Sequence, residues 1–134
     1  MDDMIAVRRA VDQLLDGRLG PLLGLVADDV ELEVTGGGDV PGRWIGSGRE
    51  AVADYFTALG AIPAFWQIDY GAADGQVIAW GKESFRIQGC ALEGACEFAL
   101  VFDLSGGRIA RLEVVEDLPS FIRGGGRLPR REAA

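Results

Sequence analysis

Two carboxylates stand where the surrounding pattern is apolar. Glu83 lies in the stretch VIAWGKESFRI, residues 77–87. Side chains alternate across a β-strand, so Val77, Ala79, Gly81, Glu83, Phe85 and Ile87 share one face, and Ile78, Trp80, Lys82, Ser84 and Arg86 the other. The first face is apolar apart from Glu83. A carboxylate on an inward face is costly unless it is paired, hydrogen-bonded or protonated. Glu116 ends a second face of this kind, after Ala110, Leu112 and Val114. Two readings of Glu83 are open. It is a polar group in the wall of a closed pocket, or a structural ion pair with a cation such as Arg111 across the sheet. Glu116, near a strand end, is either a second pocket acid or a solvated side chain.

The missing residue types narrow the chemistry further. There is no histidine and there are two cysteines. This excludes Ser-His-Asp and Cys-His nucleophile systems, the common His-bearing zinc sites and an imidazole base. Cys90 and Cys96 suit reduced, buried thiols of a cytoplasmic protein, with pairing as the alternative. The glycines 36–38 lack the Lys-Ser/Thr ending and helix entry of a phosphate loop. Neither a metal nor a cofactor is expected.

Charge limits the partners. The formal net charge is -8, and residues 123–134 hold four arginines and one glutamate, so the remainder carries -11. Such a body repels phosphate backbones, which argues against nucleic acid. No apolar run approaches the ~18 residues of a membrane span, and the N-terminus has no signal-like apolar core.

The elements that must position these residues follow from periodicity. Met4, Val7, Val11 and Leu14 repeat at helical spacing, which predicts a first helix from Asp2 to Leu15 stopped near Gly17. Pro21 suits the first turn of a short second helix. VELEVT, residues 30–35, alternates as a strand with Glu31 and Glu33 toward solvent, after a turn at Asp28 and Asp29. Ser47 and Glu50 make a capping box for a third helix carrying Val52, Tyr55, Phe56 and Leu59, closed by Gly60. Strands are predicted over 65–73, 76–88, 92–104 and 108–117, with turns at Asp74-Gly75 and Gly106-Gly107. Cys96, Phe98, Leu100 and Phe102 share a face of the third of these. Asp69 and Tyr70 fall on opposite faces of the first, and the pattern leaves open which points inward. Residues 118–122 are expected to form a short turn packed on the body, and 123–134 a basic, Gly/Arg-rich flexible tail. The expectation is one α+β domain over 1–122: three helices wrapping a strongly curved antiparallel sheet into a cone with an internal pocket.

This order, with LVADDVELEV, GRWIGSGREAVADYF and GGRIARLEVVEDLPSF, resembles the NTF2-like superfamily, and most of all its SnoaL-like and ketosteroid-isomerase-like branches. The resemblance covers residues 1 to 122. It implies a cone pocket for a small hydrophobic molecule such as a polyketide or terpenoid. It also implies isomerase, cyclase, dehydratase or epoxide-opening chemistry without a cofactor, or binding without catalysis. The isomerase branch keeps its base near Val34, its oxyanion tyrosine near Ala10 and a second acid near Phe98. The cyclase histidine and aspartate fall on Leu112 and Val114. None of these groups is present here. The resemblance turns Glu83 and Glu116 inward, where two close carboxylates would split their titration and let one deliver a proton while the other removes one. The implied pocket wall is Leu14, Val34, Trp44, Tyr55, Phe56, Phe85, Phe98, Leu112 and Val114, with Trp44 and Tyr55 equally readable as packing groups. Ile78 and Trp80 on the outer face suggest a covered sheet, and the resemblance implies a homodimer there.

Overall fold

The computed structural model describes residues 3–35, 44–58, 61–87, 93–115 and 123; residues 35, 44, 58, 61–67, 83–87 and 93–96 are described by their backbone alone. The elements are α1 (Asp3–Leu15), α2 (Gly20–Leu25), β1 (Val26–Thr35), β2 (Trp44–Ser47), α3 (Arg49–Ala58), β3 (Ala61–Ala73), β4 (Gln76–Ile87), β5 (Glu93–Ser105) and β6 (Arg108–Val115). One six-stranded sheet has the order β2-β1-β6-β5-β4-β3. The pairs are antiparallel except β1 with β6, which run parallel. The sheet is therefore mixed, where an antiparallel one was expected. The exception joins the first and last strands, whose pairing no local turn dictates.

Local chemistry explains most of the rest. Asp74 and Gly75 both have positive φ, 49° and 79°, as do Gly106 and Gly107 at 60° and 79°. Two successive left-handed residues make the tight hairpin turn whose twist matches its strands. The two turns fix the registers Ala73↔Gln76 and Ser105↔Arg108.

Three local expectations change. Asp28 and Asp29 lie inside β1, at the irregularity between Val26 and Glu31 in its pairing with β6. Arg49 secures this irregular stretch, reaching Asp28 Oδ1 at 2.5 Å, Leu23 O at 3.1 Å and Val26 O at 3.2 Å. Ser47 ends β2 instead of capping α3; Gly48, whose N–H donates to Val30 O at 2.8 Å, precedes the helix. Pro63 lies in β3, which starts at Ala61, earlier than expected. Proline is tolerated there because β3 is an edge strand with a register shift between Pro63 and Phe65.

The helices pack on one face. Met4, Val7, Ala10 and Val11 of α1, Leu22 of α2 and Val52 and Tyr55 of α3 join Val30, Leu32, Val34, Val77, Ala79, Phe98, Leu100, Phe102, Leu112 and Val114 in the main core. Both Val77 and Ala79 lie in this core, whereas Ile78 and Trp80 belong to a separate cluster. Over Val77–Trp80 the alternation of β4 is thus as expected. In β6 it is interrupted: Ile109 pairs with Leu104 and Arg111 with Asp103, so Ala110 is the extra residue of a bulge, and Ile109 joins Leu112 and Val114 in the core.

Candidate functional site

The strand registers set out the inner face as rows. One row runs Val34, Val114, Leu100, Ala79, Tyr70, and a neighbouring row Leu32, Leu112, Phe102, Val77, Ala72. Beyond the first lie Phe98, Gly81 and Ile68, and then Cys96, Glu83 and Trp66. Rows are spaced by two residues, roughly 6.6 Å, so the Glu83 backbone sits about 13 Å from the Tyr70 row.

Seven of the expected wall residues meet in the main core. Val34, Tyr55, Phe98, Leu112 and Val114 are buried in it, and Leu14 and Phe56 are partly buried against it. The Tyr55 and Phe56 rings meet edge-on at 5.1 Å between centroids. Trp44 lies opposite Val34 in β2, and Phe85 lies opposite Pro63 and Gly94 in β4. The side chains of Trp44, Phe85 and Glu83 lie outside the described residues, and so does the whole of Glu116. Arg111, considered as a partner for Glu83, holds Glu33 at 2.5 Å, with Asp103 at 3.7 Å and Glu113 at 3.8 Å. Lys82 lies 3.7 Å from Glu97.

One polar constellation was not singled out by the sequence. Tyr70 points inward and is 5% exposed, which settles the faces of β3. Its hydroxyl donates to Asp12 Oδ1 at 3.3 Å, and the Arg8 guanidinium lies 4.9 Å from its ring centroid. Burial, above all, pushes the Tyr70 phenol well above its ordinary range; the Asp12 charge and hydrogen bond add to this, and Arg8 opposes it. Counting back from the Asp74-Gly75 turn pairs Tyr70 with Ala79, and that was the signal available. At the far end, a cleft of about 350 Å³ lies between Asp3 and Met4 of α1 and Ala72–Val77, with Leu104 behind. None of the expected wall residues lines it. Among the described residues, no cluster of His, Cys, Asp and Glu fits a metal ion, and no helix is long and apolar enough to cross a membrane.

No family model matches the sequence, and no curated protein matches it. Solved structures do match. An NTF2-like protein of unknown function from Burkholderia pseudomallei superposes with a TM-score of 0.67 at 17% identity, covering 92% of this chain and 97% of that one. The fold is NTF2-like. A candidate isomerase from Rhodopseudomonas palustris shares this NTF2-like architecture with a TM-score of 0.70 at 16% identity, covering 95% of this chain and 98% of that one. A candidate SnoaL-like polyketide cyclase from Mesorhizobium loti matches at 0.67 and 13% identity, covering 85% and 98%. At such identities the NTF2-like likeness is one of fold, and chemistry must be argued from residues.

Proposed function

We propose that this chain is a cofactor-free acid–base enzyme acting on a small hydrophobic molecule, of the polyketide or terpenoid kind, inside the NTF2-like cone. Isomerisation, cyclisation, dehydration and epoxide opening all need a proton delivered and a proton removed at one apolar site. Glu83 is the group we assign to that task, with Glu116 as its partner. The observation that carries the reading is the strict alternation of β4. Val77 and Ala79 enter the main core while Ile78 and Trp80 do not, and Glu83 falls in the Val77–Ala79 series by the two-residue period of a strand. The candidate polyketide cyclase among the structural neighbours supports the substrate class. A second copy meeting the outer sheet face is the assembly we propose, with Trp80 and the exposed Ile45 at its edges.

A second reading has an observation of its own. The positions where the isomerase and cyclase branches keep their acids and bases hold Val34, Phe98, Leu112 and Val114, and all four are buried in the apolar core. This favours a non-catalytic binder of the same class of molecule.

Proton exchange separates the two. Apolar cyclic ketones in D₂O should exchange their α-hydrogens with the wild-type protein present. Glu83→Gln should slow that exchange by about 10²-fold or more, with an unchanged circular dichroism spectrum. Equal rates in both proteins would remove Glu83 from the chemistry and leave the binder.

A further inference from the structure

One position on the inner face has no side chain at all. Gly81 follows Val77 and Ala79 in the inward series of β4. Its partners in register are Phe98 on β5 and Ile68 on β3. Phe98 is buried in the main core and Ile68 packs against it, so both neighbours stand on the inner face. A glycine inside a strand marks a bulge, or a place where something approaches the backbone closely. The pairing of β4 runs through Gly81 with no register shift on either side, so no bulge requires it. Close approach is what remains.

Burial separates a protein group from a ligand as the thing that approaches. Ala79, one row nearer the hairpin turn, is 0% exposed. Gly81 and Ile68 are both partly exposed. A side chain of the core seated on the glycine would bury it as Ala79 is buried. The inner layer therefore opens between the Ala79 row and the Gly81 row.

The opening has the form of a trough. Ala79 and Gly81 are its floor, Leu100 and Phe98 one wall, and Tyr70 and Ile68 the other. Neighbouring strands lie roughly 4.8 Å apart, so the walls rise from backbones about 9.6 Å apart. A carbon held between them needs about 3.7 Å to each wall, which leaves about 2 Å for the branches of the wall side chains themselves. A ring one atom thick fits on edge between Phe98 and Ile68. A saturated cage does not.

We propose, on the footing that the chain acts on small hydrophobic molecules, that Gly81 determines which of them enter. It lets a flat, conjugated ring descend edge-first between Phe98 and Ile68, and the same walls exclude puckered frameworks of equal carbon count. Glu83 is two residues further along β4, roughly 6.6 Å. A ring seated on Gly81 is thus held one row from the assigned acid.

Two ten-carbon cyclic ketones test this in the full-length, isotope-labelled protein: 1-tetralone, which is nearly flat, and camphor, which is a cage. 1-Tetralone should shift the amide resonances of residues 68, 79–82 and 98 and bind at least about tenfold more tightly than camphor. Gly81→Val refills the trough and should weaken 1-tetralone about tenfold or more, with Gly81→Ala between it and the wild type. Ile68→Ala sets one wall back, and should strengthen camphor about tenfold; it decides the matter should the Gly81 variants misfold. Camphor binding as tightly as 1-tetralone to the wild type would overturn the proposal. So would unchanged 1-tetralone affinity in a folded Gly81→Val, unchanged camphor affinity in Ile68→Ala, shifts confined to other residues, or no binding. Deuterium exchange tells the acid chemistry apart. Equal exchange in wild type and Glu83→Gln, with the binding pattern intact, removes the catalyst and leaves the trough. Exchange that depends on Glu83 without shifts around Gly81 removes the trough and leaves the catalyst.

Discussion

The two faces of this one sheet are built on different physics. The inner face is a nearly continuous apolar layer under three helices, and its registers line up Val34, Val114, Leu100 and Ala79 in one row. The outer face mixes four small or branched apolar residues with ion pairs around Arg111 and between Lys82 and Glu97. Burial of apolar area dominates the first, while the second trades packing against paired charge. Among the described residues the inner face is almost free of charge, so that a single inward carboxylate would be chemically conspicuous there and unremarkable on the other side.

Adjacent residues of β5 allow the sharpest test of this contrast. Phe102 faces the main core and Val101 faces the outer cluster. Truncating a large core aromatic costs transfer energy and leaves a cavity, so Phe102→Ala should lose about 3–5 kcal/mol of stability in urea denaturation. Val101→Ala removes two methyl-sized groups and should lose about 2 kcal/mol. Equal losses would show that the outer cluster is as tightly packed as the inner one, and the contrast would fall.

The charged group gives an effect of intermediate size. Arg111→Met leaves three carboxylates facing one another around an apolar side chain, and should cost about 2 kcal/mol given their partial exposure. Adding Glu33→Gln should return part of that loss, because the double variant holds one charge fewer in the cluster. A cycle without such recovery would mean that Arg111 acts through its aliphatic stem and not through its charge.

Legibility in the sequence followed the range of the forces at work. The Asp74-Gly75 and Gly106-Gly107 turns and the alternation over Val77–Trp80 are local, and they are found as the residue pattern predicts. Tyr70 was readable by counting from the turn through its pairing with Ala79, yet its own neighbours gave no preference between faces. β2 escaped notice because four residues, one of them Gly46, carry too little alternation, and Ser47 looked like a helix cap. The parallel contact of β1 with β6 joins residues some eighty positions apart, and only tertiary packing selects it. Of the residues expected to line a pocket, the burial of Val34, Tyr55, Phe98, Leu112 and Val114 in the core was readable because burial follows hydrophobic pattern. Acid chemistry at Glu83 was not, because a carboxylate's role depends on its partners and not on its spacing.

Tyr70 sits at the α1 margin of the inner face, with its ring in the core and its hydroxyl on the exposed Asp12. Tyr70→Phe removes one hydrogen bond whose acceptor can turn to water, so near neutral pH it should cost only about 0.5–1 kcal/mol. The pH dependence carries more information. The folded-state value of this phenol lies above its ordinary 10.0, so the stabilisation it confers is complete below that pH. As pH rises past 10 the unfolded phenol ionises first, the unfolded state binds fewer protons, and wild-type stability falls by up to about 1.4 kcal/mol per pH unit from this group. The phenylalanine variant lacks that loss. The stability difference between the two proteins, measured by urea denaturation from pH 8 to 11, should therefore shrink above pH 10 and then change sign. A constant difference across the range would mean that water reaches the phenol, and the inner face would be leakier at its α1 margin than its burial indicates.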